Sequence, residues 1–301
     1  MDRIAPGGGA GVIRLPSGAF IDLAGPAAGE KPALVMAIVN CTADSFYPPS
    51  RSPGAAEAAE RALAAEDAGA DIVDFGGEST RPGAEYVSAG EEIRRVIPAI
   101  AAFRKHSALP VSVDTRKAET ARAALDAGAD IVNDISALED DPALGPLCAE
   151  RGVPVALMHK QGTPPSMQER PRYADTAGEL AAYLKAAAGR ARNYGIPREH
   201  IILDPGIGFG KTLEDNLSLL ACLAEIRLPG YPLLVGLSRK TFIGEITGRA
   251  VEDRLAGTLA ASAAALLAGA SILRVHDVRE TADLVKVIHA IKRRGARVSG
   301  V

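Results

Sequence analysis

Aromatic residues are scarce in this chain of 301 residues, which has no tryptophan and only 4% Phe, Trp and Tyr together. Proteins that bind nucleic acid through single strands use aromatic side chains for stacking and a basic surface for the phosphates. The net charge here is −3 at pH 7, and no basic tract changes that balance. We therefore expect no nucleic-acid partner.

Cysteine is also rare. Cys41, Cys148 and Cys222 are scattered and show no C-x-x-C spacing. An odd, scattered set indicates reduced thiols, as in a cytoplasmic protein, rather than a disulfide framework.

Long apolar runs are missing as well. Residues 255–270 form the most apolar later run, but it is Ala-rich, interrupted by Gly and short for a membrane span. We expect a buried helix there and no membrane partner. Residues 1–10 are Gly-rich and lack the apolar core of a signal peptide. We expect them to form a disordered leader before a single domain over 11–301.

A short repeat indicates the fold class. Ala-Gly-Ala-Asp-Ile-Val at 68–73 recurs at 127–132, and Ala-Gly-Ala-Ser-Ile-Leu stands at 268–273. Each copy follows a helical stretch, so its Gly fits a helix C-terminal cap and its β-formers begin a buried strand. Helices that pass directly into buried strands are typical of α/β proteins with a parallel sheet.

Eight core strands can be predicted in this way. They are residues 34–39, 71–75, 111–114, 131–135, 155–159, 201–204, 233–238 and 272–276. Residues 12–23 alternate around a turn and predict a small β-hairpin. Eight β/α units predict an α/β fold, a TIM (β/α)8 barrel with an N-terminal β-hairpin. A doubly wound sheet is the alternative, although no G-x-G-x-x-G follows the first strand.

Polar side chains stand at the carboxyl ends of nearly all of these strands, and those ends form one mouth in a TIM barrel. They are Asn40, Asp74, Asp114, Asn133, His159, Asp204, Lys240, Arg274 and His276. Any one alone is more often a structural ion pair or cap than a functional group. The repeat puts Asp74, Asn133 and Arg274 five residues past its Gly, so we expect these three to converge on something polar.

The residue types suggest two ligand chemistries. An ionised carboxylate forms paired, charge-assisted hydrogen bonds with the N–C–N edge of a flat heterocycle. Arg274 and His276 lie two residues apart on one strand and face the same side. With Asn40 they suit a phosphate or pyrophosphate. Residues 238–241 open a helix, whose free N–H groups favour an anion.

Residues 204–212 imitate a phosphate-binding P-loop. They read Asp-Pro-Gly-Ile-Gly-Phe-Gly-Lys-Thr, but the first Gly that a P-loop requires is Pro205. We interpret the segment as a glycine-rich β/α loop with Asp204 as its functional group. Phe209 is then a candidate ring contact, and Lys211 a solvated charge at the start of a helix.

Taken in order, these motifs resemble the dihydropteroate synthase family over about residues 33–292. The matching segments are 40–46, 74–83, 113–117, 133–135, 159–162, 204–211, 236–240 and 274–277. The resemblance implies a (β/α)8 barrel, usually a homodimer in the cytoplasm. It implies the Mg²⁺-dependent condensation of 6-hydroxymethyl-7,8-dihydropterin pyrophosphate with p-aminobenzoate, which gives 7,8-dihydropteroate and pyrophosphate in folate synthesis.

The resemblance also implies roles for single residues. The pterin-binding set is Asp114, Asn133, Asp204 and Lys240. The pyrophosphate set is Asn40, Arg274 and His276, with Asn40 as the Mg²⁺ contact. The p-aminobenzoate set is Phe46, Thr80, Pro82 and Thr241, with Arg239 nearby. The residues expected to carry catalysis are Asp114, Asp204, Lys240, Arg274 and His276. In the family the C–O bond to pyrophosphate breaks first, and the aniline nitrogen then attacks the pterin cation.

Three positions depart from the family pattern. Ala43 replaces the usual Pro, residues 47–50 read Tyr-Pro-Pro-Ser instead of Ser-Asp-Gly-Gly, and Lys160 replaces Met. The first two bear on closure of the loop after the first strand and on sulfonamide sensitivity. Lys160 adds a charge near the mouth or a merely solvated one.

Two other functions stay open at this point. A methyltetrahydrofolate-dependent methyltransferase shares the barrel, but it needs neither a p-aminobenzoate site nor a pyrophosphate clamp. A catalytically silent pterin-binding paralogue would be favoured by loss of Asn40, Arg274 or His276, all of which are present. Activity measured with and without Mg²⁺ separates these readings.

Overall fold

The computed structural model describes residues 12–23, 33–41, 53–79, 85–162, 167 and 171–298. The expected leader at 1–10 and three expected p-aminobenzoate contacts, Phe46, Thr80 and Pro82, lie outside these ranges, as do Ala43 and residues 47–50. No helix within the described ranges is long and apolar enough to cross a bilayer. All three cysteines are free thiols, as expected from their spacing.

Eight parallel strands form the core. They are β3 (Leu34–Asn40), β4 (Ile72–Gly76), β5 (Val111–Asp114), β6 (Ile131–Asp134), β7 (Val155–Met158), β8 (Ile201–Asp204), β9 (Leu234–Gly236) and β10 (Ile272–Val275). Their order is β8-β7-β6-β5-β4-β3-β10-β9. A parallel bridge between Leu203 and Leu233 brings the two edge strands together. The sheet is thus a nearly closed barrel, and the predicted TIM fold is confirmed.

Helices cover the outside of the barrel. They are α1 (Pro53–Asp67), α2 (Ala89–Arg104), α3 (Ala118–Asp126), α4 (Leu144–Arg151), α5 (Thr176–Asn193), α6 (Leu213–Ala221), α7 (Leu223–Ile226), α8 (Thr241–Thr247), α9 (Leu255–Leu267) and α10 (Val278–Val298). The apolar run at 255–270 is mostly the helix α9, as predicted. It is not a buried helix, because only one of its faces packs against the barrel and Leu267 is 58% exposed. Between strands and helices lies the larger apolar cluster, in which Phe75 and Phe103 pack edge to face.

The N-terminal hairpin covers the amino end of the barrel. Strands β1 (Val12–Arg14) and β2 (Phe20–Asp22) pair in antiparallel fashion, as predicted. Four hairpin side chains are buried, namely Ile13, Leu15, Ile21 and Leu23. They share one cluster with the inward-facing apolar residues of the barrel, which are Met36, Ile72, Ile131, Ala156, Ile202, Leu234 and Ile272. Several of these are the first residues of their strands, so the hairpin closes the end opposite the mouth.

The sequence repeat has a structural explanation at this lower end. The glycine of each copy has φ between 102° and 104°, in the order Gly269, Gly69 and Gly128. This left-handed conformation costs a non-glycine residue free energy. Two residues later, Asp71 accepts a hydrogen bond from Val35 N at 3.0 Å. Asp130 accepts one from Val111 N at the same distance. In the third copy Ser271 Oγ accepts from Leu233 N at 3.4 Å. Each copy therefore ends a helix and binds an N–H near the start of the neighbouring strand.

Candidate active site

Asp74 is the centre of the polar cluster at the mouth. It lies on β4, is fully buried and faces the barrel interior. Its Oδ2 accepts from Arg274 Nε at 2.6 Å and from Asn133 Nδ2 at 3.1 Å. The three residues that the repeat puts at one register therefore meet, as the spacing predicts.

Arg274 bridges two buried carboxylates. Besides its bond to Asp74, its Nη2 donates to Asp114 Oδ2 at 2.7 Å. Burial opposes the charge on Arg274, but the two carboxylates outweigh burial and raise its pKa above the usual value. Burial likewise raises the pKa of Asp114 to about 7, and Arg274 limits that rise. The resemblance assigns Asp114 to the pterin and Arg274 to the pyrophosphate, and the structure shows these two side chains hydrogen-bonded to each other.

Asp204 forms the second part of the site, at the end of β8. Its Oδ1 accepts from Gly206 N at 2.7 Å, at the start of the glycine-rich loop 205–212. Burial raises the pKa of Asp204, while the charge of Lys240 chiefly opposes the rise. Within the described residues the second carboxylate oxygen accepts no hydrogen bond, so it is open to a ligand.

Lys240 lies directly before α8 and reaches across the mouth to this loop. Its Nζ donates to the carbonyl of Ile207 and stands 4.7 Å from the centre of the Phe209 ring. Burial lowers the pKa of Lys240 to about 8, against the opposing effect of Asp204. An ammonium between a carboxylate and an aromatic face forms one wall of the pocket, and Phe209 is at this wall as a ring contact requires.

Lys211 corrects an expectation. It is not a solvated charge at a helix start, because its side chain is 3% exposed and lies beneath the glycine-rich loop. Its Nζ is 2.9 Å from His159 Nδ1. Nothing in the spacing of the motif distinguishes a buried lysine from an exposed one, since its partner His159 belongs to the preceding β/α unit.

The expected pyrophosphate contacts lie at the outer edge of the mouth. His276 follows β10, is exposed, and its Nδ1 stands 3.0 Å from Ser238 Oγ. Asn40 ends β3 with an exposed side chain, and its backbone carbonyl accepts from Arg61 Nη2 at 2.8 Å. Both side chains are accessible to a ligand above the buried Arg274 cluster.

The two described members of the p-aminobenzoate set differ in their surroundings. Thr241 is exposed and begins α8. Arg239 has a φ of 55° and forms a bidentate pair with Asp277, with distances of 2.9 and 2.7 Å. Its remaining Nη1 donates to backbone carbonyls near the 3-10 turn Val251–Asp253. Arg239 therefore braces the loop after β9, and a place beside p-aminobenzoate stays a prediction.

Charged side chains also link the loops around the mouth. Lys160 is not merely solvated, because its Nζ pairs with Asp140 at 3.0 Å. Asp140 also pairs with Arg116 at 2.7 Å, and Arg116 pairs with Glu78 at 3.1 Å. The chain of alternating charges joins the loops that follow β4, β5, β6 and β7. Sequence reasoning missed it because each pair joins different β/α units.

Among the described residues, the mouth of the barrel combines three buried carboxylates with two cations, Arg274 and Lys240. No cluster of three or more His, Cys, Asp or Glu that suits a metal occurs within the described ranges. Carboxylates and amides at the floor suit a nitrogen-rich heterocycle, and cations above them suit an anionic leaving group.

Comparisons with known proteins agree on one family. The sequence pattern of the family described as "Pterin binding enzyme" matches residues 36–276. A dihydropteroate synthase of Synechocystis sp. is 46% identical over 264 residues, which cover 87% of this chain and 91% of that protein. A Xanthomonas albilineans dihydropteroate synthase with 4-aminobenzoic acid has a TM-score of 0.84 and 42% identity, covering 93% of this chain and 98% of that one. A structure from the same organism in complex with 7,8-dihydropteroate has a TM-score of 0.80 and 38% identity, covering 94% and 99%.

Proposed function

The chain belongs to the dihydropteroate synthase family of pterin-binding enzymes, and we propose which of its residues carry out the family's reaction. The reaction joins 6-hydroxymethyl-7,8-dihydropterin pyrophosphate to p-aminobenzoate, and the products are 7,8-dihydropteroate and pyrophosphate. The main support for these roles is the cluster of buried polar side chains at the strand ends. In it Arg274 bridges Asp74 and Asp114, and Asp204 lies across the mouth.

Asp204 holds the guanidine-like edge of the pterin. An ionised carboxylate accepts two charge-assisted hydrogen bonds from that edge, and Asp204 has the buried position that such a pairing requires. Asn133 and Asp114 bind the remaining polar atoms of the ring, and Lys240 binds from the side of the Phe209 ring. Pairing with a buried carboxylate excludes ligands that lack adjacent N–H donors, because the carboxylate would lose hydration without compensation.

The pyrophosphate lies towards the outer edge of the mouth, where Arg274, His276 and Asn40 bind it. Asn40 suits a Mg²⁺ contact, because its amide oxygen is an exposed hard ligand at the end of β3. Mg²⁺ commonly combines one or two protein ligands with substrate phosphates and water, so one amide beside a pyrophosphate fits this group. When bound, the ion neutralises charge on the departing pyrophosphate.

The bond changes follow from this arrangement. The C–O bond to pyrophosphate breaks, and the leaving group takes the electron pair. The pterin cation that forms is stabilised by the carboxylates of Asp114 and Asp204 that bind the pterin. The lone pair of the aniline nitrogen then forms the C–N bond, and that nitrogen loses a proton to solvent. A weakly basic aniline needs little activation, which agrees with a site built from charges rather than around an activated nucleophile.

The p-aminobenzoate site is formed by Phe46, Thr80, Pro82 and Thr241 in this proposal, with Arg239 behind the last of them. Thr241 supports it by its exposure at the mouth. A homodimer in the cytoplasm and a single domain over 11–301 are also proposed from the family likeness. Light scattering checks the homodimer, cell fractionation checks the location, and limited proteolysis checks the domain.

Calorimetry with two ligands tests how the roles are divided. Arg274→Lys keeps a cation between Asp74 and Asp114 but removes the guanidinium fork. We expect the bare pterin alcohol to bind within about threefold of wild type, and its pyrophosphate ester to lose about tenfold or more, because a charge-assisted bond is lost. An equal loss for both ligands would show that Arg274 serves the pterin rather than the pyrophosphate. The matched control is Arg279→Lys, an exposed arginine on α10.

A further inference from the structure

Lys211 has an unusual environment for a lysine outside the substrate contacts. Its Nζ stands 2.9 Å from Gly206 O, 3.1 Å from Phe209 O and 2.9 Å from His159 Nδ1. These three acceptors match the three N–H donors of an ammonium group. Within the described residues no carboxylate forms an ion pair with it. All three of its hydrogen bonds are therefore to neutral groups that belong to the pocket's supporting structure.

The imidazole of His159 is a fixed acceptor in this set. Burial lowers the pKa of His159 to about 3, and the charge of Lys211 adds to the effect. The ring is therefore neutral near pH 7. Burial also lowers the pKa of Lys211 to about 7, and in the ammonium form of Lys211 the Nδ1 atom accepts from it, so that the ring proton lies on Nε2. The backbone of His159 is held as well, since its N–H donates to Asp204 O at 3.0 Å.

The glycine-rich loop needs such a cation because of its backbone. Gly206, Gly208 and Gly210 all have positive φ, with values of 63°, 82° and 62°. A side chain at position 206 would overlap the carbonyl oxygen of His159, so the loop packs directly against the end of β7. The carbonyls of residues 206 and 209 point to one buried spot, where water is excluded and unpaired carbonyls cost free energy.

The same two residues also contact the groups that face the substrate. Gly206 N donates to Asp204 Oδ1, while its carbonyl accepts from Lys211. Phe209 O accepts from Lys211, while its ring faces Lys240. Lys211 thus binds the carbonyls of Gly206 and Phe209, the residues whose N–H and ring contact Asp204 and Lys240.

We propose that Lys211 is a positioning residue for the pterin pocket, which fixes the loop 205–210 and thereby the directions of Asp204 and Phe209. The inference rests on the proposed function only in that Asp204 and Phe209 contact the pterin. Its charge also favours the ionised form of Asp204, although Lys240 and Arg274 contribute more. A lysine that only stabilised the fold would have no reason to affect one substrate more than the other.

The test compares two variants of this lysine with a matched control. Lys211→Met keeps the length and removes all three donors, and Lys211→Gln keeps two donors without the charge. Lys185→Met is the control, because Lys185 is exposed on α5. For each, the affinity for 6-hydroxymethyl-7,8-dihydropterin is measured by calorimetry, and KM by steady-state assay for both substrates.

We expect Lys211→Met to weaken pterin binding at least about tenfold, Lys211→Gln to weaken it less, and Lys185→Met to leave it unchanged. KM for p-aminobenzoate should stay within about twofold of wild type in every variant. If Lys211→Met does not fold, Lys211→Gln decides by the same comparison. Wild-type pterin affinity in both variants, or equal rises in both KM values, would overturn the proposal. Failure of the wild type to bind the pterin would instead contradict the proposed function.

Discussion

The smallest unit of the site is one carboxylate oxygen. Asp74 Oδ2 serves two partners, Arg274 and Asn133, while Asp74 Oδ1 is buried without a hydrogen-bond partner among the described residues. Its place was predictable, because the repeat puts it in register with both partners. Its role was not, since the motif does not say that it holds Arg274 in position rather than contacting substrate.

Asp74→Asn tests whether Asp74 holds Arg274 in position, and it should change the pH dependence of pterin binding. Burial raises the pKa of Asp114 to about 7, and the charge of Asp74 contributes to that rise. Without that charge, and with Arg274 left to Asp114 alone, the pKa of Asp114 falls. A carboxylate that binds when ionised loses affinity as pH falls through its pKa, so the acid limb of pterin binding should move to lower pH.

We also expect kcat/KM to fall by about ten- to a hundredfold, because Arg274 loses a charge-assisted bond. The measurements are pterin affinity and kcat/KM from pH 5 to 9, with Asp283→Asn, an exposed position on α10, as the control. An acid limb at the wild-type pH would contradict the coupling between Asp74 and Asp114.

At the scale of elements, the repeat unit explains both ends of the barrel. Its Gly ends a helix, its Asp or Ser binds the neighbouring strand, and its polar residue faces the mouth five positions after the Gly. The sequence therefore predicted most strand positions to within one or two residues, with β4 expected at 71–75 and found at Ile72–Gly76. Strand β9 was predicted too long, at 233–238 instead of Leu234–Gly236, because residues 237–240 already turn towards α8.

Asp130 in the second copy of the repeat should matter for stability and not for catalysis. It is fully buried and accepts from Arg104 Nη2 at 2.6 Å, Val111 N at 3.0 Å and Ser17 N at 2.9 Å. Asp130→Ala removes the carboxylate that pairs with the largely buried guanidinium of Arg104, so we expect a loss of about 3–5 kcal/mol in the free energy of unfolding. KM values should be unchanged for any protein that remains folded.

The control for this change is Asp126→Ala, a nearby acid whose pair with Arg151 is exposed. It should cost at most about 1 kcal/mol. Urea unfolding measures both variants. Equal losses of stability would mean that the pair of Asp130 with Arg104 stabilises the fold no more than an exposed ion pair does.

Ion pairs between loops mark the limit of prediction at this scale. Lys160 was singled out in the sequence as a departure, but its partner Asp140 lies 20 residues earlier, beyond a different strand. The sequence periodicity of a single helix or strand cannot predict such a pair, because only the closed barrel brings the two loops together. The same holds for Lys211 and His159, which are 52 residues apart.

For the whole molecule, the barrel has two ends with different tasks. The mouth carries the buried charges of the site, and the opposite end is closed by the apolar side chains of the hairpin. Leu23→Ala removes a side chain that is 1% exposed in the hairpin cluster, so we expect a loss of about 2–5 kcal/mol in the free energy of unfolding. Because the hairpin lies away from the mouth, KM for either substrate should not change.

Phe20→Ala in the same hairpin provides the comparison, since Phe20 is 46% exposed. Its effect on the free energy of unfolding should be small. Thermal and urea unfolding measure both changes. A Leu23→Ala variant with wild-type stability would mean that the hairpin does not contribute to the barrel core.

The most direct test of the proposed synthase activity is the release of pyrophosphate from 6-hydroxymethyl-7,8-dihydropterin pyrophosphate by the wild-type protein. The assay contains Mg²⁺ and is run with and without p-aminobenzoate, and 7,8-dihydropteroate is quantified alongside. We predict that p-aminobenzoate brings equal amounts of pyrophosphate and 7,8-dihydropteroate. A protein that binds the pterin but releases no pyrophosphate under any of these conditions would be a catalytically silent pterin-binding paralogue. The proposed roles of Arg274, His276 and Asn40 in binding the departing pyrophosphate would then be wrong.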